Sequence, residues 1–432
     1  MNVMKYSEVR FPVGKSEVSA SIPNLMKVAM PKNIDGVNDE RAEIRRALEN
    51  PIASPKLRDI AKAKIAKNGV KNAAIVVNDI TRPYPGRLLI EETVKELKEA
   101  GLEDDNIFLV VAYGMHRRNS ILELTEMFGK EAVERFCVVH HDGANEGSLV
   151  SLGKTSGGVD VNVNKEFAAA DIKILTGLIT PHQSAGFAGG RKSVMPGIAG
   201  LSSLRTHHSF PIRPTRPSMG WLEGNPFHEE ALEAARIAGV DFIVNAVDNV
   251  RREMVAVVAG DLDEAHLKGV AVCRSIWTVE IDAKADVVIV SPGGYPRDFD
   301  LHQSQKACAC AELACKEGGQ IILCAEAPDG AGKFAQLLED AAHPQEVVDK
   351  YTTEGYTAES TGKAYMYARA LLHHKIGLAC SRIPAGEIEK MFMIPYATID
   401  DGIKDALARY GENASFIAIP YAADIILSPR KQ

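Results

Sequence analysis

Residues 73–83 read Ala73-Ala-Ile-Val-Val77-Asn-Asp-Ile-Thr-Arg-Pro83; a helical stretch over Leu88–Ala100 follows, and then Ile107-Phe-Leu-Val-Val-Ala112-Tyr-Gly-Met-His-Arg117. Ala73–Val77 and Ile107–Ala112 are too short for helices and too apolar for a half-exposed strand, so both read as strands buried on both faces. A helix lying between two such runs is a crossover, which makes the strands parallel neighbours. This stretch predicts an α/β fold.

The same alternation continues outward. Leu122–Phe128 begins a helix, and Cys137–His140, Ile172–Leu175 and Phe242–Ala246 extend the series of strands. After Trp277 the pattern restarts with the strand Ala285–Ser291, the helix Gln303–Glu317 and the strand Gly319–Cys324. Then come the helix Phe334–Asp340, the segment Lys375–Cys380 and a strand near Phe416–Pro420. The expectation is two α/β domains with mainly parallel sheets and an active site in the cleft between them. Residues 1–278 form the first domain and 279–432 the second, the boundary falling near 275–284, with the tail from about 405 packing back on the first.

The chain has 432 residues, 46% of them hydrophobic and 25% charged, which suits a globular protein with a filled core. A net charge of −7 argues against non-specific nucleic-acid binding. No run approaches the roughly 18 apolar residues of a membrane span. The default expectation is a cytoplasmic protein that acts on neither nucleic acid nor membrane. Seven cysteines are an odd number for a disulfide framework, and Cys308, Cys310 and Cys315 in an alanine-rich stretch read as buried thiols.

Chemistry-bearing residues gather where loops leave the carboxyl ends of strands, the edge at which open α/β sheets bind ligands. Asn78-Asp79-Ile80-Thr81-Arg82-Pro83 follows the first strand; its plain reading is a capped turn, and its position favours a site. Tyr113-Gly114-Met115-His116-Arg117 follows the next and sets a histidine where it can exchange protons. From His182 to His208, 27 residues hold three histidines, one lysine and five glycines with almost no helix or strand pattern. Glycines let backbone pass close to a ligand. Gly293-Gly294-Tyr295-Pro296-Arg297-Asp298 and then His302-Gln303-Ser304-Gln305-Lys306 follow the first strand of the second domain, with Gln303 and Lys306 one helical turn apart. His140-His141-Asp142 either lines the site or ends a strand. His373-His374 reads as a solvated helix end.

Together, in order, Asp79-x-Thr-Arg-Pro83, Gly114-x-His-Arg117, His182-x3-Gly-Phe-x-Gly-Gly-x-Lys192-x3-Pro-Gly197, His208, Gly293-Gly-Tyr-Pro and Gln303-x2-Lys306 resemble the lactate racemase family that uses a nickel-pincer nucleotide. The resemblance covers nearly the whole chain. It implies a pyridinium mononucleotide whose two sulfur-bearing groups and one ring carbon clamp nickel. Lys192 would be tethered to it and His208 would supply the protein's ligand to nickel. Asp79, Ile80, Thr81 and Arg82 would hold the nucleotide, and the enzymes that make the cofactor become implied partners. His116 and His182 would be the two proton carriers. Arg82, Gln303, Lys306 and His302 would bind the substrate, a small 2-hydroxy acid.

Inverting a carbon that bears a hydroxyl requires its hydrogen to leave as hydride and return to the other face, while a base holds the hydroxyl proton. One base on each side is therefore expected. Lactate-specific members carry a tyrosine where this chain has His302 and a tryptophan from a later helix of the second domain. Here Gly362-Lys363-Ala364-Tyr365 lies in roughly that region. A more polar wall implies a longer or hydroxylated substrate such as the aldonate gluconate. Alternatives are a lactate racemase proper, a metal-dependent hydrolase built on His182, His208 and Asp79, and a nucleotide-binding sensor without turnover.

Overall fold

The computed structural model describes residues 6–69, 72–81, 85–357 and 361–429. Arg82 lies outside the described residues. The first sheet has six strands in the order Met254–Gly260, Phe242–Asp248, Ile172–Leu178, Ala73–Asn78, Ile107–Ala112, Cys137–His140. All neighbours are parallel except the edge hairpin of Phe242–Asp248 and Met254–Gly260.

Side chains alternate across this sheet and bury both faces. Ala73, Ile75 and Val77 join a core with Ile44, Leu89 and Val94, while Ala74 and Val76 join another with Phe167, Val194 and Leu204. Each fully buried aliphatic side chain contributes about 1.5–3 kcal/mol, so these apolar runs can be central strands and little else. The second core includes Val194, Met195, Ile198 and Ala199. The glycine-rich segment is thus glued to one face of the sheet by its own apolar residues.

The second sheet is six-stranded and wholly parallel, in the order Ile394–Tyr396, Lys375–Ala379, Cys315–Cys324, Ala285–Val290, Phe416–Ile419, Leu25–Val28. The last of these corrects the expected division. Residues 6–28 stand with the second sheet, not the first. The antiparallel hairpin Tyr6–Val13 and Ser16–Pro23 packs Val9, Phe11 and Ile22 with Val287 and Ile289 in one core. The alternating pattern of this hairpin needs a single apolar surface, and the second sheet provides it. The tail is corrected in part. Phe416–Ile419 enters the second sheet, and Ile426–Pro429 pairs in parallel with Thr278–Ile281. The tail also meets the first unit, where Asp424 Oδ2 lies 3.8 Å from Arg252 Nη2 and Ile426 Cγ2 lies 2.7 Å from where a Cβ on Gly220 would stand.

Candidate active site

In the first sheet, strand order departs in opposite directions from Ala73–Asn78, so the switch point lies between that strand and Ile172–Leu178. Crevices form there because the connections on the two sides diverge. The loops that leave this point carry Asp79, His116, His182 and Lys192. The cleft they line is closed from the second unit by His302, Gln303, Lys306 and Lys363. Ile80 is half-buried and Thr81 exposed, and neither is part of the cleft's lining.

Asp79, 2% exposed, accepts from Thr81 Oγ1 at 2.7 Å and places Oδ2 2.6 Å from His116 Nδ1. A carboxylate beside Nδ1 holds the proton on that nitrogen and leaves the His116 Nε2 lone pair available as a base. His182 is held the other way. Its Nδ1 accepts from the backbone N–H of Ser184 at 3.2 Å and of Ala185 at 3.1 Å, so neutral His182 carries its proton on Nε2. The two histidines therefore rest in different tautomers.

His208 is not in a loop, as the patternless sequence suggested, but caps the short helix Leu201–His207. Its Nδ1 donates to the Leu204 carbonyl at 3.0 Å, which leaves Nε2 as a lone pair. Burial first, then His207, Arg213 and Lys192, push its pKa well below the ordinary value and keep it neutral. A neutral imidazole oriented by a carbonyl is the form that ligates a metal. Adjacent His207 donates Nε2 to the Phe227 carbonyl at 3.0 Å and is fully buried, with its pKa driven down to about 3. It packs and does not reach the cleft.

Lys192 sits on the single turn Gly190–Ser193. Gly189 and Gly190, with φ of +79° and +52°, make the bend before it. Asn245 and Arg191 hold this bend. Asn245, a polar residue inside an apolar strand, accepts from the Gly190 N–H at 2.7 Å. Arg191 turns away from the cleft and donates to the carbonyls of Gly189 and Ala185 at 3.3 and 2.9 Å. Burial lowers its pKa to about 9.

His302 opens the helix Leu301–Ala314, whose cap Asp300 accepts from the Gln303 N–H at 2.6 Å. Burial, Lys363 and Lys306 push His302 down to about 2, so it faces the cleft as a neutral imidazole. Lys306 donates to Gln303 Oε1 at 2.9 Å, which confirms their shared face. The preceding Gly293–Asp298 stretch has another use. Tyr295 N–H donates to the Gly14 carbonyl at 2.7 Å and Asp298 accepts from the Gly14 N–H at 2.6 Å, so it docks the opening hairpin. His140 bonds to the Tyr113 hydroxyl at 2.7 Å and His141 to the Ala199 carbonyl at 3.0 Å; neither lines the cleft. Exposed His373 bonds to Glu317 at 2.8 Å as a solvated helix end would, but His374, 8% exposed, is buried and corrects that half of the reading. All seven cysteines are free thiols, and Cys308, Cys310 and Cys315 are buried.

Family models described as the lactate racemase N-terminal and C-terminal domains match residues 13–220 and 281–427. A lactate racemase of Thermoanaerobacterium thermosaccharolyticum is 34% identical over 98% of this chain and 99% of its own length. The chain belongs to the lactate racemase family. As a member it is an isomerase of the racemase type. The lactate racemase of Lactiplantibacillus plantarum is 33% identical over 90% of this chain and 91% of its own length. The apoprotein structure of the Thermoanaerobacterium lactate racemase superposes with a TM-score of 0.90 at 32% identity, covering 98% of this chain and 100% of that one. A Thermotoga maritima protein at 18% identity, TM-score 0.63 and 88% coverage of this chain shares the fold.

The donor set bears on how a metal is held in such a racemase. Among the described residues no three His, Cys, Asp or Glu side chains gather where they could hold an ion. A hydrolase built on His182, His208 and Asp79 lacks that set, whereas one imidazole suits a metal that brings its other ligands with it. The residues fit the nickel nucleotide. No helix among the described residues is long and apolar enough to cross a membrane.

Proposed function

We propose that the protein inverts C2 of a 2-hydroxy acid more polar than lactate, using a nickel-pincer nucleotide. The observation that carries this reading is the His208 Nε2 lone pair in the cleft that Lys192, His116, His182, Gln303 and Lys306 also line. Lys192 would tether the cofactor, His208 would ligate its nickel, and Asp79 and Arg82 would hold the nucleotide, with Thr81 bonded to Asp79 and Ile80 outside the cleft's lining. When bound, the cofactor supplies a carbon able to accept a hydride.

His116 takes the hydroxyl proton at Nε2 while Asp79 stabilises the imidazolium. His182 serves the opposite face with its Nε2–H. To carry a proton itself it must exchange the two amide bonds at Nδ1 for that proton, so the two acid/base groups are not equivalent. Lys306 binds the carboxylate with Arg82, and Gln303 orients Lys306. Neutral His302 offers a hydrogen bond to a hydroxyl farther along the substrate, where an aromatic wall would offer none. A gluconate-like aldonate meets that description.

The test is to express the protein with the cofactor-making enzymes, then measure nickel, intact mass and C2 inversion across 2-hydroxy acids. Nickel, a mass increment lost in Lys192→Ala, and inversion of gluconate-like acids are expected. Lactate favoured over gluconate by tenfold or more would refute the polar substrate and leave a lactate racemase proper, the activity named for the relatives. Zinc at one per chain in place of nickel would favour a hydrolase, and nickel without any inversion a sensor.

A further inference from the structure

Arg213 lines the cleft, is only 6% exposed, and belongs to none of the motifs that suggested the function. Its guanidinium meets soft or neutral groups: Nη2 lies 2.8 Å from Met366 Sδ, and the Tyr351 hydroxyl also bonds to it. Among the described residues no carboxylate pairs with it within 4.0 Å. A guanidinium taken out of water without a counter-charge is costly to the fold, and a cleft-facing one is stabilised when an anion arrives.

The helix Thr361–His373 is shaped around it. A Cβ on Gly362 would stand 3.1 Å from Arg213 Nη1 and 3.4 Å from Cζ, so the missing side chain is the space the guanidinium occupies. The next residue, Lys363, also lines the cleft, near enough to His302 to act on its charge, as does Lys306. Arg213 is thus a cleft-facing guanidinium with no carboxylate partner among the described residues, and Asp79, the carboxylate in the described lining, is already bonded to His116. One substrate carboxylate at Lys306 does not supply a partner for Arg213.

We propose that Arg213 forms a second anion subsite, and that the substrate is a 2-hydroxy acid with a second carboxylate at its far end. This deepens the proposed function and rests on it for the identity of the reacting end. A bidentate carboxylate is the natural partner of a guanidinium, and a hydroxyl-lined path past neutral His302 does not exclude intervening hydroxyls. The other anion that could reach the cleft is the cofactor's phosphate, and the experiment separates the two.

Holoenzyme is assayed for C2 inversion of malate and glucarate against lactate and gluconate, in wild type, Arg213→Met and Arg213→Lys, with calorimetry of the same acids. Dicarboxylates are expected to exceed their monocarboxylate counterparts in kcat/KM by about tenfold or more, and R213M to lower that ratio by about 30-fold or more, since truncating one partner of a buried charge pair weakens binding on that scale. R213K should recover part of the ratio, with nickel and mass increment unchanged. Equal use of mono- and dicarboxylates by the wild type would overturn the proposal, as would equal losses on all four acids. Loss of nickel and mass increment in R213M would assign the guanidinium to the cofactor instead. If no acid is inverted, the proposed function fails, and tighter calorimetric binding of dicarboxylates that R213M abolishes still decides for the subsite, while its absence decides against.

Discussion

Replacing Asp79 by asparagine removes one charge from the cleft and leaves its shape. In the native protein the carboxylate, 2% exposed, lies 2.6 Å from His116 Nδ1. When His116 takes up a proton, two unit charges with centres about 4 Å apart attract by about 4 kcal/mol at an effective dielectric of about 20. The His116 side chain is 39% exposed, so screening by water reduces that to about 2–3 kcal/mol. At about 1.4 kcal/mol per factor of ten, kcat for C2 inversion should fall by about 30- to 150-fold. The loss of the group that holds the His116 tautomer acts in the same direction. The assay is single-substrate inversion at saturation on Asp79→Asn and wild type, each normalised to its nickel content. A kcat within threefold of wild type would refute the dyad. A loss that tracks nickel one for one would show that Asp79 holds the nucleotide and does not position the base.

His208→Ala should lose nickel while keeping a Lys192-linked mass increment, read by metal analysis and intact mass; nickel at wild-type level would remove His208 as ligand. Gly189→Ala should lower stability by about 1–3 kcal/mol in thermal or denaturant unfolding, because the backbone is at φ +79° and the new Cβ would sit 2.8 Å from Ile179 Cγ1. Stability unchanged by that substitution would mean the bend can relax. Glu92, its side chain 3% exposed, is bonded to Arg41, Arg45 and Lys95. Burial pushes this carboxyl up, but those three cations outweigh it and hold it at about 2, against 4.5 for a free group. A depressed carboxylate stabilises the fold above its unfolded pKa and ceases to as pH falls through the folded one. Glu92→Gln should therefore cost about 1–2 kcal/mol at pH 7, discounted for partly exposed partners, and the difference should fade between about pH 4.5 and 2. A difference independent of pH over that range would point to packing instead of charge.

The central strands were legible because strands covered on both faces must be apolar throughout, as Ile107–Ala112 is. The opening hairpin was not, because Tyr6–Val13 alternates buried and exposed residues and its partner surface comes from the far half of the chain. His116, His182, Lys192, His208, Gln303 and Lys306 were all readable as residues too costly or too reactive for turns, and the fold brings them to one cleft. Their proton positions were not readable, since the Ser184 and Ala185 amides and the Leu204 carbonyl that set them exist only once the backbone is folded. Arg213 escaped notice within a proline-rich loop. Its meaning comes from Gly362, a distant glycine in the first turn of a helix that no backbone requirement explains. Gly293–Asp298 misled in the other direction, because glycines that admit a ligand also admit another loop.

The strand Leu25–Val28 has a consequence for how the protein is made. Among the described residues its one sheet neighbour is Phe416–Ile419, almost 400 residues later. During synthesis this hairpin emerges before the rest of the second sheet and must keep Val9, Phe11 and Ile22 from other chains until that sheet exists to receive them. The first sheet can meanwhile close on itself, an insertion folded inside a discontinuous host. A fragment beginning near residue 279 would expose Phe416–Ile419 as a bare edge, an invitation to strand exchange between molecules. A separable second unit would need residues 6–28 spliced ahead of 278–429.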